Sequence, residues 1–129
     1  EGGWTGAFSD GSTAATMSSS AGRYTKIGNQ VTVTAYLVTS NIDGISGNMR
    51  ITGLPFTVYN DNSRYSTASI GYAAGLDITA GEHISGYPEK NSTVINLQCW
   101  DATTGTTNLQ HSELTADGEI MISLTYFTT

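Results

Sequence analysis

The chain has 129 residues, 38% hydrophobic and 12% charged, with a formal net charge of -6. That length and apolar share build one domain with its own core and exclude a disordered chain. Five Lys and Arg scattered through an acidic chain exclude nucleic acid as a partner, and bulk charge disfavours anionic membranes and acidic polysaccharide, leaving room only for a local cation that holds one carboxylate.

In chain order, Glu1-Gly2-Gly3 reads as a linker, and the lack of an initiator Met leads us to expect that the amino terminus once continued. Residues 1–21 are expected to form an incoming segment with short edge strands, its rings Trp4 and Phe8 clipping it to the domain body or to a neighbouring subunit. Residues 30–39 alternate Val31, Val33, Ala35 and Leu37 with Thr32, Thr34, Tyr36 and Val38, the period of a strand. A turn-rich stretch with Asp43-Gly44 and Gly47-Asn48 follows, and residues 49–54 are expected to return as the hairpin partner until Pro55 removes a ladder donor.

Further strands are expected at 64–74, at 82–86 ahead of Pro88, at 92–101 and at 107–114. In the third of these, Ile95, Leu97 and Cys99 face one side and Asn96, Gln98 and Trp100 the other. Ala116-Asp117-Gly118-Glu119 reads as a hairpin turn before a last strand that points Ile120, Ile122, Leu124 and Tyr126 inward. No helical period and no internal repeat interrupts this pattern. The expected fold is a single-domain, all-β, antiparallel, jelly-roll-like β-sandwich.

Gly22-Arg23-Tyr24-Thr25-Lys26-Ile27-Gly28-Asn29-Gln30-Val31, followed at a distance by Ile51-Thr52-Gly53-Leu54-Pro55-Phe56, resembles the carboxy-terminal tip module of tailed-bacteriophage tail fibres and tailspikes. Trp4-Thr5 and the strand from Gly118 to Thr129 fit the same pattern, although Gly6 stands where that family often has proline. The resemblance implies a homotrimer in the virion, at the fibre tip, that contacts host cell-surface polysaccharide or lipopolysaccharide. It implies no catalytic set and no cofactor.

The residues themselves offer little chemistry. His83 and His111 lack metal-ligand spacing, so no metal site is expected, and the Asn and Asp residues of the 41–43 and 60–62 loops read as turn formers. Cys99 is alone and core-facing, an inert thiol. Glu113, Asp117 and Glu119 could pair as glycosidase carboxylates, but a solvated turn explains them as well, and no enzyme is expected. Asn91-Ser92-Thr93 matches a glycosylation sequon of a kind common by chance in such chains.

Glycan binding has better grounds, because exposed rings stack on sugars while amides and carboxylates satisfy sugar hydroxyls. Trp100 with Asp101, Asn96 and Gln98 is the best such group, and Tyr59, Asp61 and Tyr65 form a second. Trp4, Tyr36, Met121 and Phe127 are candidates for a trimer interface, where aromatic residues are enriched. The competing readings are a monomeric carbohydrate-binding module of a secreted polysaccharide-active enzyme and a purely structural trimerisation cap.

Overall fold

The computed structural model describes residues 1–129. Its strands are β1 (Gly2–Trp4), β2 (Ala7–Ser9), β3 (Thr16–Ile27), β4 (Gln30–Asn41), β5 (Arg50–Thr52), β6 (Ala68–Leu76), β7 (Ile84–Pro88), β8 (Val94–Ala102), β9 (Gly105–Asn108) and β10 (Leu114–Phe127). All pairings are antiparallel, in the order β1-β3-β4-β10-β6-β7-β8-β5-β2, with β9 on β8. This is one continuous, curled sheet in place of the two separate sheets of a jelly roll.

The sheet has two leaves. The first, β1-β3-β4-β10-β6, meets the second, β7-β8-β5-β2 with β9, through a single residue pair, Ala68 opposite Gly86. The alternation of β4 and β10 turns Val31, Val33, Leu37, Ile120, Ile122, Leu124 and Tyr126 to the interior, and that of β8 adds Ile95, Leu97 and Cys99. Phe8 of β2 and Ile51 of β5 complete one buried cluster. Each such side chain, fully removed from water, contributes about 1.5–3 kcal/mol.

The first and last strands of the sheet order, β1 and β2, are consecutive in the chain, separated by Thr5 and Gly6. Trp4 is buried in this closure, and its indole N–H donates to the Thr34 carbonyl at 3.1 Å. Gly6 passes beside it where a Cβ would stand 2.8 Å from the Trp4 ring. Trp4 therefore belongs to its own chain's core, and the expectation that it meets a sister subunit is replaced by this packing role.

Several expected elements move. The partner of β4 is β3, joined through Gly28 and Asn29, and Gly28 takes the φ of +61° that the tight turn requires. Residues 49–54 pair instead with β8 and β2 through β5, so the expected hairpin of 30–39 with 49–54 does not form. Asp117-Gly118 is no hairpin turn but an irregularity inside the single strand β10. There the buried Thr39 hydroxyl lies 3.1 Å from the carbonyl oxygens of Thr115, Ala116 and Gly118. Residues 64–67 precede β6, with Asn62–Arg64 forming a 3-10 turn, and His111–Glu113 forms another where a strand was expected. Pro88 closes β7, at a position where its missing N–H faces no partner from β6. No helix is long and apolar enough to cross a membrane.

The strand directions sort the loops into two ends. One holds the turns carrying Asp10, Asp43, Asp77, Glu82 and Glu113, tied together by Ser46 N–H to Asp10 (3.1 Å), Gly47 N–H to His111 Nδ1 (3.1 Å) and Asp77 N–H to the Glu113 carbonyl (3.0 Å). The other holds the Gly28-Asn29 turn, Phe56, Lys26, Arg64 and Lys90, together with both termini: Gly2 pairs with Tyr24, and Thr128 N–H donates to the Asn29 carbonyl at 2.8 Å.

Candidate functional site

The outer face of β8 is polar because its inner face is spent on the core. Asn96, Gln98 and Trp100 stand there in a row, as the alternation predicts. Trp100 is 51% exposed, and its ring lies 6.0 Å from that of His83, with 20° between the planes. The Trp100 N–H donates to the His83 carbonyl at 2.9 Å, which fixes one ring against the other. Neighbouring strands extend the face: Tyr87 stands opposite Asn96, Ser85 and Asn108 opposite Gln98. Gln98 Nε2 donates to Asn108 Oδ1 at 2.7 Å, and Thr106 Oγ1 donates to Gln98 Oε1 at 3.1 Å, so the amides are preset. Asp101 accepts from Thr107 Oγ1 at 2.5 Å across the β8–β9 hairpin. The exposed Tyr87 ring and Trp100 bracket this strip, since Asn96 and Trp100 are four residues, about 13 Å, apart on one strand. His83, Tyr87 and Asn108 were not foreseen, because their membership depends on which strands flank β8.

The second sequence group is organised differently. Asp61 Oδ1 accepts from Ser63 N–H (2.9 Å) and Oγ (2.7 Å), and its Oδ2 pairs with Arg64 Nε at 3.3 Å. Those Ser63 hydrogen bonds, helped by Arg64 and Lys90, hold its pKa below the usual value. The Arg64 guanidinium sits 5.6 Å over the Tyr59 ring and 4.9 Å over Phe127, and the Lys90 ammonium 4.7 Å over Tyr65. Asp61 thus serves its own turn, while the rings of Tyr59, Tyr65 and Phe127 already carry protein cations.

The outer face of the first leaf forms a third surface. Register places Ala21, Tyr36, Met121 and Tyr72 in one row across β3, β4, β10 and β6, and Arg23, Thr34, Ser123 and Ser69 in the next. Tyr36, Met121 and Tyr72 are 37%, 50% and 45% exposed. The Tyr36 and Tyr72 hydroxyls both donate to the Glu119 carboxylate, the latter at 2.7 Å. These bonds raise both phenol pKa values and lower that of Glu119. Tyr36 and Met121, expected separately as interface residues, are direct cross-strand neighbours, whereas Phe127 lies beneath Arg64 at the other end of β10. Alongside them runs a shallow groove of about 460 Å³ that includes Arg23.

The groups with catalytic or metal-binding potential have structural partners. Glu113 accepts from the Gln110 N–H at 2.7 Å, Asp117 from Thr115 Oγ1 at 2.6 Å, and Glu119 from the two tyrosines. Asn41 and Asp43 bond to each other in a turn, Asp43 N–H donating to Asn41 Oδ1 at 2.6 Å. The ligand atoms of Glu82, Cys99 and Glu113 do converge, within 4.8 Å of one another. Burial first, then Glu113, Glu82 and Asp101, push the Cys99 thiol up to about 11, so by itself it is protonated at neutral pH.

No family model matches the chain. No curated protein matches it in sequence. The crystal structure of the Dettilon tailspike protein superposes on 98% of this chain with a TM-score of 0.82 at 20% identity. This chain has the fold of one portion of that tailspike. It spans 23% of the tailspike's length, and at this identity the likeness is one of fold.

Proposed function

We propose that the chain is a virion tail module of a tailed bacteriophage, at the tip of a fibre or tailspike, that assembles as a homotrimer and binds host cell-surface polysaccharide or lipopolysaccharide without turnover. The tailspike fold and the Tyr24-to-Val31 and Gly53-to-Phe56 resemblance support the tail role. The observation that carries the binding role is Trp100, half-exposed and braced on His83 at the end of a strip of preset amides. Sugar rings stack on such a platform at little entropic cost, since the platform is ordered beforehand. Three shallow sites on one rigid trimer then gain affinity by multivalency.

The test combines sedimentation equilibrium with binding to a panel of bacterial surface polysaccharides, using the full chain and Trp100→Ala. A trimer that binds at least one polysaccharide, with binding lost in the variant, is the expected outcome. Monomers that bind one glycan would move the assignment to a carbohydrate-binding module, and trimers that bind none to a structural cap.

A further inference from the structure

We propose that the groove on the outer face of the first leaf is a second saccharide site, selective for a carboxylated hexose of the uronic-acid type. It uses none of the Trp100 strip and rests on the reading above only in taking the ligand to be a sugar.

The first observation is Arg23. Lys26 and Arg64 lie over aromatic rings, Lys90 lies over Tyr65, and Arg50 is packed beneath the Gly11 turn. The ion pair of this chain joins Arg64 to Asp61. Arg23 is exposed, without a hydrogen-bonded or ionic partner, and it lines the largest concavity of the molecule. In a chain of net charge -6, an unpaired guanidinium set in a groove is a local exception to a field that otherwise repels anions. Its fork matches a carboxylate bidentately, which an ammonium would not.

The second observation is what lies beside it. Thr34, Ser123 and Ser69 follow Arg23 strand by strand, all exposed on one face, so the row runs about 14 Å across three strand gaps. These hydroxyls both donate and accept, as sugar hydroxyls require. Tyr36 and Met121 wall the row on one side with apolar surface for a ring face.

The third observation is Gly71. The register of β6 on β10 slips between Met121 and Ile122, and Gly71 is the extra residue of that bulge. A Cβ there would meet nothing within 4 Å, so the groove floor is bare at this point. The volume of about 460 Å³ falls in the range of small-molecule sites. Glu119, on the same face beyond Tyr36 and Tyr72, sets the direction: the ligand's carboxylate goes to Arg23 and its uncharged end toward β6.

The test is titration of the intact chain, in its solution assembly, with methyl glucuronide, methyl glucoside and acetate, followed by amide chemical shifts and calorimetry. The expected result is saturable binding of the glucuronide, at least tenfold tighter than either control, with shifts at Arg23, Thr34 and Ser123. Arg23→Ala should abolish it, and Gly71→Leu, whose side chain enters open space, should block it with Arg23 intact; dispersed spectra verify that both variants fold. Equal binding of acetate, glucuronide binding that survives Arg23→Ala, or no saturation because a sister subunit covers the face would each overturn the proposal. Trp100→Ala should leave glucuronide binding unchanged, so loss of polysaccharide binding there and loss of glucuronide binding here are separate failures.

Discussion

Ala68 stands directly across from Gly86, and this pair alone carries the ladder between the two leaves of the sheet. A Cβ at Gly86 would lie 2.9 Å from the Asn96 carbonyl oxygen and 3.2 Å from Ile95 Cγ2. Gly86→Val should therefore strain β7 against β8 beside the seam and cost about 1–3 kcal/mol. Urea unfolding checks this, and an unchanged midpoint would contradict the tight approach.

Tyr126 is fully buried, its hydroxyl donating to the Phe56 carbonyl at 3.1 Å and accepting from the Phe56 N–H at 3.2 Å. Tyr126→Phe leaves both backbone groups without that partner and should cost about 1–3 kcal/mol. Burial also raises the phenol pKa from 10.0 to about 12. Above pH 10 the unfolded chain releases this proton while the folded chain retains it, so the contribution is complete below pH 10 and is lost as pH rises toward 12. The variant should show a shallower alkaline loss of stability than the parent, measured by unfolding between pH 9 and 12 at the same ionic strength.

The two tryptophans differ in environment: Trp4 is 6% exposed and hydrogen-bonded, Trp100 is 51% exposed. Trp4→Phe should leave red-shifted emission that acrylamide quenches readily, whereas Trp100→Phe should leave blue-shifted, protected emission. Trp4→Phe also removes the bond to the Thr34 carbonyl and should lower stability, while Trp100→Phe should not. Reversed spectra would refute this burial assignment.

Cys99 is completely buried, and its pKa of about 11 keeps it protonated. A thiol reagent such as Ellman's should leave the native protein unlabelled at pH 8 and react with one equivalent after denaturation. Labelling of the folded chain at a rate near that of free cysteine would contradict both the burial and the raised pKa.

The apolar alternations of β4, β8 and the second half of β10 were legible because each has one face in the core. The partner of β4 was not. Residues of β3 such as Ser18, Ser19 and Ser20 lie on the leaf's margin with little apolar burial, so this strand has no period to read, and the apolar Met49-to-Leu54 stretch drew the pairing instead. Asp117-Gly118 carries the composition of a hairpin turn, but the Thr39 hydroxyl and the neighbouring strands absorb it as an irregularity. A turn dipeptide specifies backbone freedom, and tertiary contacts decide how it is used.

For the candidate sites, Asn96, Gln98 and Trp100 were found together because one strand carries them all. His83, Tyr87 and Tyr72 could not be placed beside them or beside Tyr36 without strand order, a long-range property. The Arg23 row was invisible for the same reason: its four residues come from four strands and share nothing in sequence.

The closure of the sheet through Thr5 and Gly6 has a consequence for self-association. Its two outermost strands are only three residues long and are drawn from one short stretch of chain, so neither offers a long row of free backbone groups to a second molecule. Without residues 1–9, β5 and the Thr16-to-Ile27 strand would lose those covers, and a compact particle would become a template for fibrous aggregation.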